Sequence, residues 1–455
     1  MDTKELKEQY KDLLGKEVTL QGWIRTHRKQ KEFGFINFYD GTSFGTVQVV
    51  YDNKLKNFED IQKYLVGSAI TVKGIVTESQ GNQDFEVQAK DIILEGKSTE
   101  DYPIQPKRHT NEFLREQAYL RPRTNLFNAV FKVRSIAAYA IHKYFQERNF
   151  TYVHTPIITA SDAEGAGEMF QVTTLDLQRI KDGKVDYSKD FFGKQASLTV
   201  SGQLEAETFA MSHKKVYTFG PTFRAENSNT KTHACEFWMI EPEMAFCDLE
   251  SDMNVMEDML KYVVKYVLDN AKEEIAFFDK FVENGLKNKL EKLVSSSFTR
   301  VDHEEVIKIL KEAKVKWEFE PEYGEDIARE HEKYITEYFG GPVFIKNWPK
   351  DIKAFYMKQN PDGKTVAAVD LEVPGAGELM GGSQREEDYD KLVNRMKELN
   401  MPMDGMEWYV NLRKYGTCTH SGFGMGFERL LIYLTGVENI RDVIPYPRTP
   451  KNCEF

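Results

Sequence analysis

The sequence of 455 residues has only four cysteines, and no two of them form a Cys-x-x-Cys pair. With so few cysteines and no such pair, we expect neither a zinc site nor a disulfide framework, and the pattern is typical of a reducing compartment. The sequence also lacks long apolar runs, and residues 1–5 carry acids where a signal peptide would be apolar. We therefore expect a soluble cytoplasmic protein without a transmembrane helix or a membrane partner.

A positive net charge is missing as well: the charge is −11 at pH 7 and the pI is about 5.5. The net charge therefore argues against indiscriminate binding of nucleic acid, but not against a local basic patch. Hydrophobic residues make up 41% of the chain and aromatic residues 13%, enough for a large core. At this length we expect two or three domains.

Residues 222–246 contain a polar run, 227–232, with the composition of a loop. After this run, apolar and acidic side chains alternate, with Trp238, Ile240, Met244 and Phe246 on one face and Glu241 and Glu243 on the other. Alternation is typical of a strand, so we predict two strands joined by a loop.

Side chains around this loop predict an anion site beside a flat ring. Arg224 has a planar fork of donors suited to a phosphate. Phe237 can stack on a purine, and Glu226 and Glu236 can accept a hydrogen bond from an exocyclic amine. Alone, an Arg-Ala-Glu triplet is more often part of a surface ion pair, so a second signal is needed.

That signal is a glycine-rich segment. Gly422, Gly424 and Gly426 occupy every second position, which makes a strand on which a ligand can lie close to the backbone. Arg429 follows where the pattern changes to leucines at helical spacing. A Rossmann turn is the alternative, but the spacing is not Gly-x-Gly-x-x-Gly and no early strand–helix–strand unit surrounds it.

The two segments resemble motifs 2 and 3 of the class II aminoacyl-tRNA synthetases of the aspartyl, asparaginyl and lysyl subgroup. A predicted helix at 125–146 and strand at 150–158, containing Pro156, resemble motif 1, the dimer-forming element; an ordinary core helix is the alternative. The resemblance covers nearly the whole chain. Within the subgroup, the Lys-Asp-Phe-Phe-Gly run at 189–193 resembles the asparaginyl enzymes.

Residues 16–95 predict an OB-fold barrel, because they contain five short strands with a helix at about 55–65 between the third and the fourth. The resemblance implies an α+β fold in which an antiparallel sheet flanked by helices follows the barrel. The expected organisation is an OB-fold domain at 1–102, a hinge at 103–125 and a catalytic domain at 126–455, with a charged hairpin inserted at 174–196 and a mostly helical insertion at 255–340.

Further strands are predicted at 342–345, 354–357, 366–373 and 377–380. Within the helical insertion, Asp302 and Glu305 have the spacing of a capping box. No chemistry is predicted for the insertion itself.

A basic loop at 25–31 is predicted between the first two barrel strands, beside Phe33, Phe35 and Phe38. Aromatic rings and cations together suit single-stranded nucleic acid, whereas a solvated loop is the alternative. The resemblance implies that the barrel binds the anticodon, with contacts from Arg28, Phe35 and Gln48.

The resemblance also implies ATP and Mg²⁺ as cofactors. Arg224 would hold the α-phosphate and the amino-acid carboxylate, and Phe237 and Arg429 would enclose adenine. The remaining nucleotide contacts would be Glu226 at the adenine amine, His233 and Arg429 at the outer phosphates, and Gly426.

For Mg²⁺, the resemblance implies Glu378 and Asp370 as oxygen ligands. Their spacing is one residue longer than in the aspartyl enzymes, which makes Glu372 a possible substitute for Asp370.

Asparagine would be held at its α-ammonium by Glu164 and Gln203. Its side-chain amide offers one acceptor and one two-proton donor, which match Arg385 and Glu207 respectively. The aspartyl enzymes have a lysine where this chain has Ala206. Aspartate at Glu207 would bring two carboxylates together, which is unfavourable.

The implied enzyme is a homodimer that activates L-asparagine with ATP and transfers it to tRNA(Asn) without a covalent enzyme intermediate. Two alternatives remain at this point: a nondiscriminating aspartyl enzyme, and a paralogue that binds tRNA without catalysis.

Overall fold

The structure, a computed structural model, describes residues 1–161, 168–179, 183–227 and 230–455. It divides into two compact units, Met1–Lys132 with Phe455, and Val133–Glu454. The limit between the units falls inside a long helix, Asn125–Glu147, which was predicted at 125–146. Among the described residues, every helix is too short or too polar to cross a membrane.

The first unit contains a closed barrel. Its elements are α1 (Thr3–Leu13), β1 (Glu17–Lys29), β2 (Phe33–Tyr39), β3 (Val47–Asp52), α2 (Phe58–Ile61), β4 (Ala69–Glu78), β5 (Phe85–Gly96) and α3 (Asn111–Glu116). The strand order around the barrel is β1-β2-β3-β5-β4. β3 and β5 are parallel, and the other neighbours are antiparallel. The predicted OB fold is confirmed, although α2 is shorter than the predicted helix.

Alternate side chains of the strands fill the barrel, because successive residues point to opposite faces. In β3, Val47, Val49 and Tyr51 are buried. The same alternation buries Phe38 completely while it leaves Phe33 exposed. The prediction that Phe38 lies on a nucleic-acid face was therefore wrong, since its position has the inward parity of the strand.

The basic run lies mostly on a strand. β1 continues to Lys29 and β2 begins at Phe33, so only residues 30–32 connect them. Arg28 pairs with Phe35 across the strands, and its guanidinium lies 5.0 Å from the centroid of the Phe35 ring. The prediction of a basic loop was therefore wrong for most of this run. Cationic side chains can lie on a strand when rings on the neighbouring strand contact them.

The second unit is a sheet flanked by helices. After α4 (Asn125–Glu147), which begins in the first unit, come β6 (Thr151–Tyr152), β7 (Ile158–Thr159), β8 (Gln171–Val172), β9 (Ala196–Leu198), α5 (Gln203–His213), β10 (Lys215–Phe223), β11 (Glu236–Ala245), α6 (Leu249–Asn270), α7 (Lys272–Phe281), α8 (Leu286–Ser295), β12 (Thr299–Asp302), α9 (His303–Glu312), α10 (Arg329–Phe339), β13 (Val343–Pro349), β14 (Thr365–Val373), β15 (Gly377–Gln384), α11 (Tyr389–Glu398), α12 (Glu407–Asn411), β16 (His420–Gly426) and α13 (Phe427–Thr435).

The main sheet has eight strands in the order β12-β13-β14-β15-β16-β11-β10-β6. Its six central strands are antiparallel, as predicted. The edge strands β12 and β6 are parallel to their neighbours, so the sheet is mixed and the prediction of a wholly antiparallel sheet needs this correction. β7, β9 and β8 form a separate small sheet.

Three strand predictions were wrong in detail. The strand predicted at 150–158 is split between β6 and β7, which belong to different sheets, and Pro156, which has no N–H to donate, lies in the break. The segment 354–357 is not a strand, because the consecutive rings of Phe355 and Tyr356 are both buried in one hydrophobic cluster. β11 ends before Phe246, which has a positive φ of 56° and is 76% exposed.

The insertion at 255–340 is mostly helical, as predicted, but it also supplies the edge strand β12. Asp302 occupies the N-cap position of α9, but its side chain accepts no hydrogen bond from the first turn of the helix. Instead, Asp302 Oδ1 accepts a hydrogen bond from Asn347 Nδ2 at 2.9 Å. The predicted capping box was therefore wrong, since the carboxylate binds the neighbouring strand.

The insertion predicted as a hairpin at 174–196 connects the antiparallel strands β8 and β9. Its described part contains the 3₁₀ turns Leu177–Arg179 and Tyr187–Lys189 and no further strand. Asp190 closes the base of this segment, because its Oδ1 accepts hydrogen bonds from the backbone N–H groups of Thr174 and Phe191 at 2.9 and 2.7 Å.

Candidate active site

A cavity of about 220 Å³ lies over the glycine-bearing strands β15 and β16. Gly381 and Gly424, which pair across these strands, both line it. The cavity brings together the seven residues that the family resemblance assigns to the nucleotide, namely Arg224, Glu226, His233, Phe237, Glu378, Gly426 and Arg429. Glu236, the other residue predicted to accept from the exocyclic amine, is not among the residues that line it. The seven residues come from three separate segments, so their convergence depends on the antiparallel pairing of β15, β16 and β11.

Cationic groups face this cavity beside an aromatic ring. The guanidinium of Arg224 lies 5.4 Å from the centroid of the Phe237 ring. Arg429, on the first turn of α13, donates from Nη1 to the Glu378 carbonyl oxygen at 3.0 Å and lies 3.6 Å from Glu378 Oε2. His233 is exposed, with its Nδ1 2.5 Å from Thr230 Oγ1. The arrangement provides donors for phosphates and a face for a base.

The glycines of β16 serve two purposes. A β-carbon on Gly424 would lie 2.9 Å from Met239 Cε at the floor of the cavity. A β-carbon on Gly422 would lie only 2.3 Å from Glu243 Oε1. Only a residue without a side chain therefore lets Glu243 pack against this strand.

Three carboxylates meet on β14 and β15 beside the cavity. Asp370 is paired with Gly381, and Glu372 with Glu378, because Leu379 has no partner and forms a β-bulge. A β-carbon on Gly381 would lie 3.2 Å from both Asp370 Oδ1 and Glu378 Oε1. The bulge thus accommodates the additional residue noted in the sequence and keeps Asp370 near Glu378.

These carboxylates suit a hard cation. Burial raises the pKa of Asp370 to about 6, opposed by Lys353, whose Nζ lies 2.5 Å from Asp370 Oδ2, and supported by the charge of Glu378. Burial also raises the pKa of Glu372 well above its usual value. Among the described residues, no three His, Cys, Asp or Glu side chains form a ready metal site. Mg²⁺ fits this arrangement, since it usually takes one or two carboxylates together with phosphates and water.

A second buried network surrounds Glu207, which is 0% exposed. Its two oxygens accept hydrogen bonds from four side chains: Gln203 Nε2 at 3.2 Å, Tyr409 Oη at 2.7 Å, Arg413 Nη2 at 2.8 Å and His420 Nε2 at 3.0 Å. Burial would raise the pKa of Glu207, but the charge of Arg413 and the hydrogen bond from His420 lower it below its usual value. The carboxylate is therefore ionised and fully engaged with protein donors.

Arg385 lies beside this network and pairs with Glu243. Its Nη2 donates to Glu243 Oε1 at 2.5 Å, its Nε to Oε2 at 3.3 Å, and its Nη1 to Ser383 Oγ at 2.8 Å. Both side chains are buried. Burial, opposed by Arg385, raises the pKa of Glu243 to about 7. The pair presents adjacent donor and acceptor atoms, which is the complement of a carboxamide.

The pair lies on the same sheet face as the nucleotide cavity. Arg385 directly follows β15 and is four residues beyond Gly381, and along β11, Glu243 is four residues beyond Met239, so each keeps the parity of a residue that lines the cavity. A molecule bound at Arg385 and Glu243 can therefore extend toward the nucleotide cavity. Glu164, predicted to contact the same molecule, lies outside the described residues.

In the first unit, Phe35 and Arg28 form the contact described above, and Phe33 packs edge-on against Phe35 with ring centroids 5.5 Å apart. Gln48 donates from Nε2 to Glu86 Oε2 at 2.9 Å. Because Gln48 pairs with Asn37 next to this aromatic surface, the predicted anticodon residues lie on neighbouring strands of the barrel.

Two protein families match the sequence. One, described as tRNA synthetases class II (D, K and N), matches residues 110–450, and the other, an OB-fold nucleic acid binding domain, matches residues 18–95. The asparagine–tRNA ligase of Acholeplasma laidlawii is 62% identical over 455 residues, covering 98% of each chain. That of Clostridium beijerinckii is 58% identical, covering 98% of this chain and 97% of the relative. The chain belongs to the asparaginyl-tRNA synthetases.

A solved structure agrees with this assignment. Asparaginyl-tRNA synthetase from Pyrococcus horikoshii complexed with asparaginyl-adenylate matches with a TM-score of 0.85 and 33% identity, covering 97% of both chains. As an asparaginyl-tRNA synthetase, the chain attaches asparagine to tRNA with the use of ATP. The aspartyl enzyme and the noncatalytic paralogue are not favoured.

Sequence reasoning missed four residues of this asparaginyl-tRNA synthetase site: Glu243, Tyr409, Arg413 and His420. Glu243 could have been found from the sequence, because it is an acidic residue that alternates with apolar residues on a strand that is buried on both faces. No local pattern marks Arg413 and Tyr409, because they contact Glu207 from more than 200 positions away in the chain.

Proposed function

We propose that the cavity over β15 and β16 binds ATP and that asparagine binds beside it at Arg385 and Glu243. The observation that supports this most strongly is the convergence on one cavity of the seven predicted nucleotide residues. The Arg385–Glu243 pair follows on the same sheet face, so asparagine and ATP would be adjacent.

In the proposed complex, Arg224 holds the α-phosphate and bridges to the carboxylate of asparagine. Phe237 stacks on adenine, with the Arg429 guanidinium on the opposite side and Glu226 near the exocyclic amine. Arg429 and His233 also hold the outer phosphates. Charge-assisted hydrogen bonds of this kind orient the reactants and stabilise the charge that develops during the reaction.

The proposed reaction has two steps. An asparagine carboxylate oxygen attacks the α-phosphorus, and the bond from that phosphorus to pyrophosphate breaks. The terminal ribose hydroxyl of tRNA(Asn) then attacks the adenylate carbonyl, and AMP leaves. The P. horikoshii relative complexed with asparaginyl-adenylate supports this intermediate. Glu378 and Asp370, with Glu372 nearby, would hold Mg²⁺, which neutralises phosphate charge when bound.

We also propose how asparagine is distinguished from aspartate. Arg385 would donate to the amide oxygen, and Glu243 would accept from the amide nitrogen. The direct contact of Glu207 with the amide, expected from the sequence, would require one of its four protein donors to leave. Glu207 is therefore assigned a positioning role, through Gln203 and His420. Aspartate would bring a carboxylate against Glu243, which costs several kcal/mol.

We also propose contacts for the tRNA anticodon and for the α-ammonium of asparagine. The barrel would bind the anticodon through Arg28, Phe35 and Gln48, and Glu164 with Gln203 would hold the α-ammonium of asparagine. The domain limits at 102 and 125 and the cytoplasmic location belong to the same proposal.

We propose a homodimer formed through α4 and its neighbours. In support, Tyr139 of α4 and Tyr152 of β6 are exposed by 59% and 43%, and Trp238 of β11 by 37%. Exposed aromatic residues of this kind are enriched at protein interfaces.

The decisive experiment is ATP–pyrophosphate exchange with highly purified asparagine or aspartate. Exchange with asparagine alone is expected. Exchange with aspartate would contradict the assigned role of Glu243, and a folded, ATP-binding sample that exchanges with neither would contradict the whole assignment.

A further inference from the structure

Helix α10 of the insertion places a fourth carboxylate beside the proposed cation site. A β-carbon on Gly377 would lie 2.3 Å from Glu332 Oε2, so this carboxylate rests against the backbone next to Glu378. Glu332 is also near enough to interact electrostatically with Glu378 and Arg429. The insertion, for which the sequence predicted no chemistry, therefore places a carboxylate beside Glu378, which lines the cavity.

Two of these carboxylates have oxygen atoms that the protein leaves available. Glu372 is 1% exposed, yet its Oε2 has no hydrogen-bond partner, and its strand position is directly opposite Glu378. The Glu332 side chain makes no hydrogen bond or ion pair within the described part of the chain. Nearby, Lys353 pairs with Asp370, Arg429 lies 3.6 Å from Glu378, and Arg329 interacts electrostatically with Glu332. Buried anions in such a group require further positive charge.

We propose that Glu332 is a further carboxylate of the cation site and that it acts through water molecules bound to the cation. No three His, Cys, Asp or Glu side chains among the described residues converge closely enough to hold a metal directly. Mg²⁺ retains several of its waters in such sites, and these waters need acceptors. Glu332, resting on Gly377, supplies one from the insertion, and Glu372 supplies another from the sheet.

This inference rests on the proposed Mg²⁺–ATP site and adds a positioning residue to it. Carboxylates that orient water or ligands around a metal change its affinity without touching it, and their loss lowers metal affinity about 10–100-fold. The insertion would then tune the cation affinity of a site whose direct ligands lie on the sheet.

The test is Mn²⁺ binding, followed by electron paramagnetic resonance in the presence of ATP, for the wild type, Glu332→Gln and Glu337→Gln. Glu337 lies on the same helix with a 66% exposed side chain, so its substitution removes the same charge away from the site. We expect Glu332→Gln to raise the dissociation constant of Mn²⁺ about tenfold or more. Glu337→Gln should leave it unchanged. An unchanged constant in Glu332→Gln overturns the inference.

Thermal unfolding in EDTA separates this role from a structural one. Without a cation, Glu332→Gln relieves repulsion among the carboxylates, so its Tm should equal or exceed that of the wild type. A lower Tm in EDTA, with Mn²⁺ affinity unchanged, would mean that Glu332 only supports the fold. Glu332-dependent Mn²⁺ binding in a protein without asparagine-dependent exchange would uphold this inference and contradict the proposed function. Absence of Mn²⁺ binding in the wild type overturns the inference.

Discussion

Arg385 and Glu243 form a buried ion pair in which Nη2 and Oε1 are 2.5 Å apart. Each partner is held in place: Arg385, directly after β15, donates to Ser383 Oγ, and Glu243 of β11 lies against Gly422. A planar donor and a two-oxygen acceptor are thus fixed side by side before any substrate arrives.

Replacing Arg385 with lysine should lower kcat/KM for asparagine in pyrophosphate exchange about 100-fold or more, equivalent to about 3 kcal/mol. A lysine keeps the charge but lacks the planar fork with which Arg385 holds both Glu243 oxygens and Ser383 and still has N–H groups for the amide oxygen. Arg300→Lys, which alters a partly exposed pair with Glu250, should retain wild-type kinetics. Comparable kinetics in both variants would refute the role of Arg385.

Arg224→Ala should abolish adenylate formation, because no other donor fork is predicted at the α-phosphate. The measurement is asparagine-dependent pyrophosphate exchange, with circular dichroism to verify folding. Lys231→Ala is the control, since Lys231 lies on the same connection and its ion pair with Glu438 is exposed. Near-normal exchange in Arg224→Ala is incompatible with the proposed contact.

Gly422→Ala should destabilise the protein by about 1–3 kcal/mol and impair asparagine activation more than ATP binding. The added methyl would lie 2.3 Å from Glu243 Oε1 and displace the Arg385 pair. Gly220→Ala on β10 is the matched control, because a β-carbon there meets nothing within 4 Å. Denaturant unfolding and exchange kinetics measure the two effects, and equal behaviour of the variants would contradict the packing argument.

Phe35→Ala should raise the KM for tRNA(Asn) about 10–100-fold while pyrophosphate exchange stays unchanged, because stacking of a base is worth about 1–3 kcal/mol. Aminoacylation kinetics provide the measurement. Ile93→Ala, at an exposed position of the same barrel, serves as the control. A matching loss in Ile93→Ala would assign the effect to barrel stability.

Stability should fall between pH 6.5 and about 4 because of His303. Burial lowers its pKa from 6.5 to about 4, so the unfolded chain binds more protons in this window and stability rises with pH there. The contribution is up to about 3 kcal/mol. Urea unfolding across this range should show a shallower dependence in His303→Phe than in the wild type. Identical slopes would mean that His303 does not titrate differently in the two states.

Local pattern predicted much of the site. Arg224, Phe237 and Arg429 are marked by short motifs, and the alternation along β11 and β16 predicts the strands whose pairing brings these three residues to one cavity. The partners of Glu207 were not predictable in the same way, because a single buried carboxylate gives no indication in the sequence of which distant donors will satisfy it.

The errors have similar physical causes. Arg28 belongs to a basic run, a pattern that predicts a loop. Its contact with the ring of Phe35 on the next strand is not visible in that pattern. The apolar side chains of Phe355 and Tyr356 led to the prediction of a strand. In the structure, their apolar character reflects packing in a hydrophobic cluster. In each case the deciding contact is absent from the local sequence.

Strand β12 of the insertion covers an edge of the main sheet that could otherwise pair with strands of other chains. Its hydrogen bonds with β13 cover a row of backbone donors and acceptors from Val343 to Lys346. Without the insertion, these groups would form an open sheet edge, a template for pairing with foreign strands. The segment 255–340 therefore shields this edge of the sheet through its short strand, in addition to placing Glu332 beside Glu378.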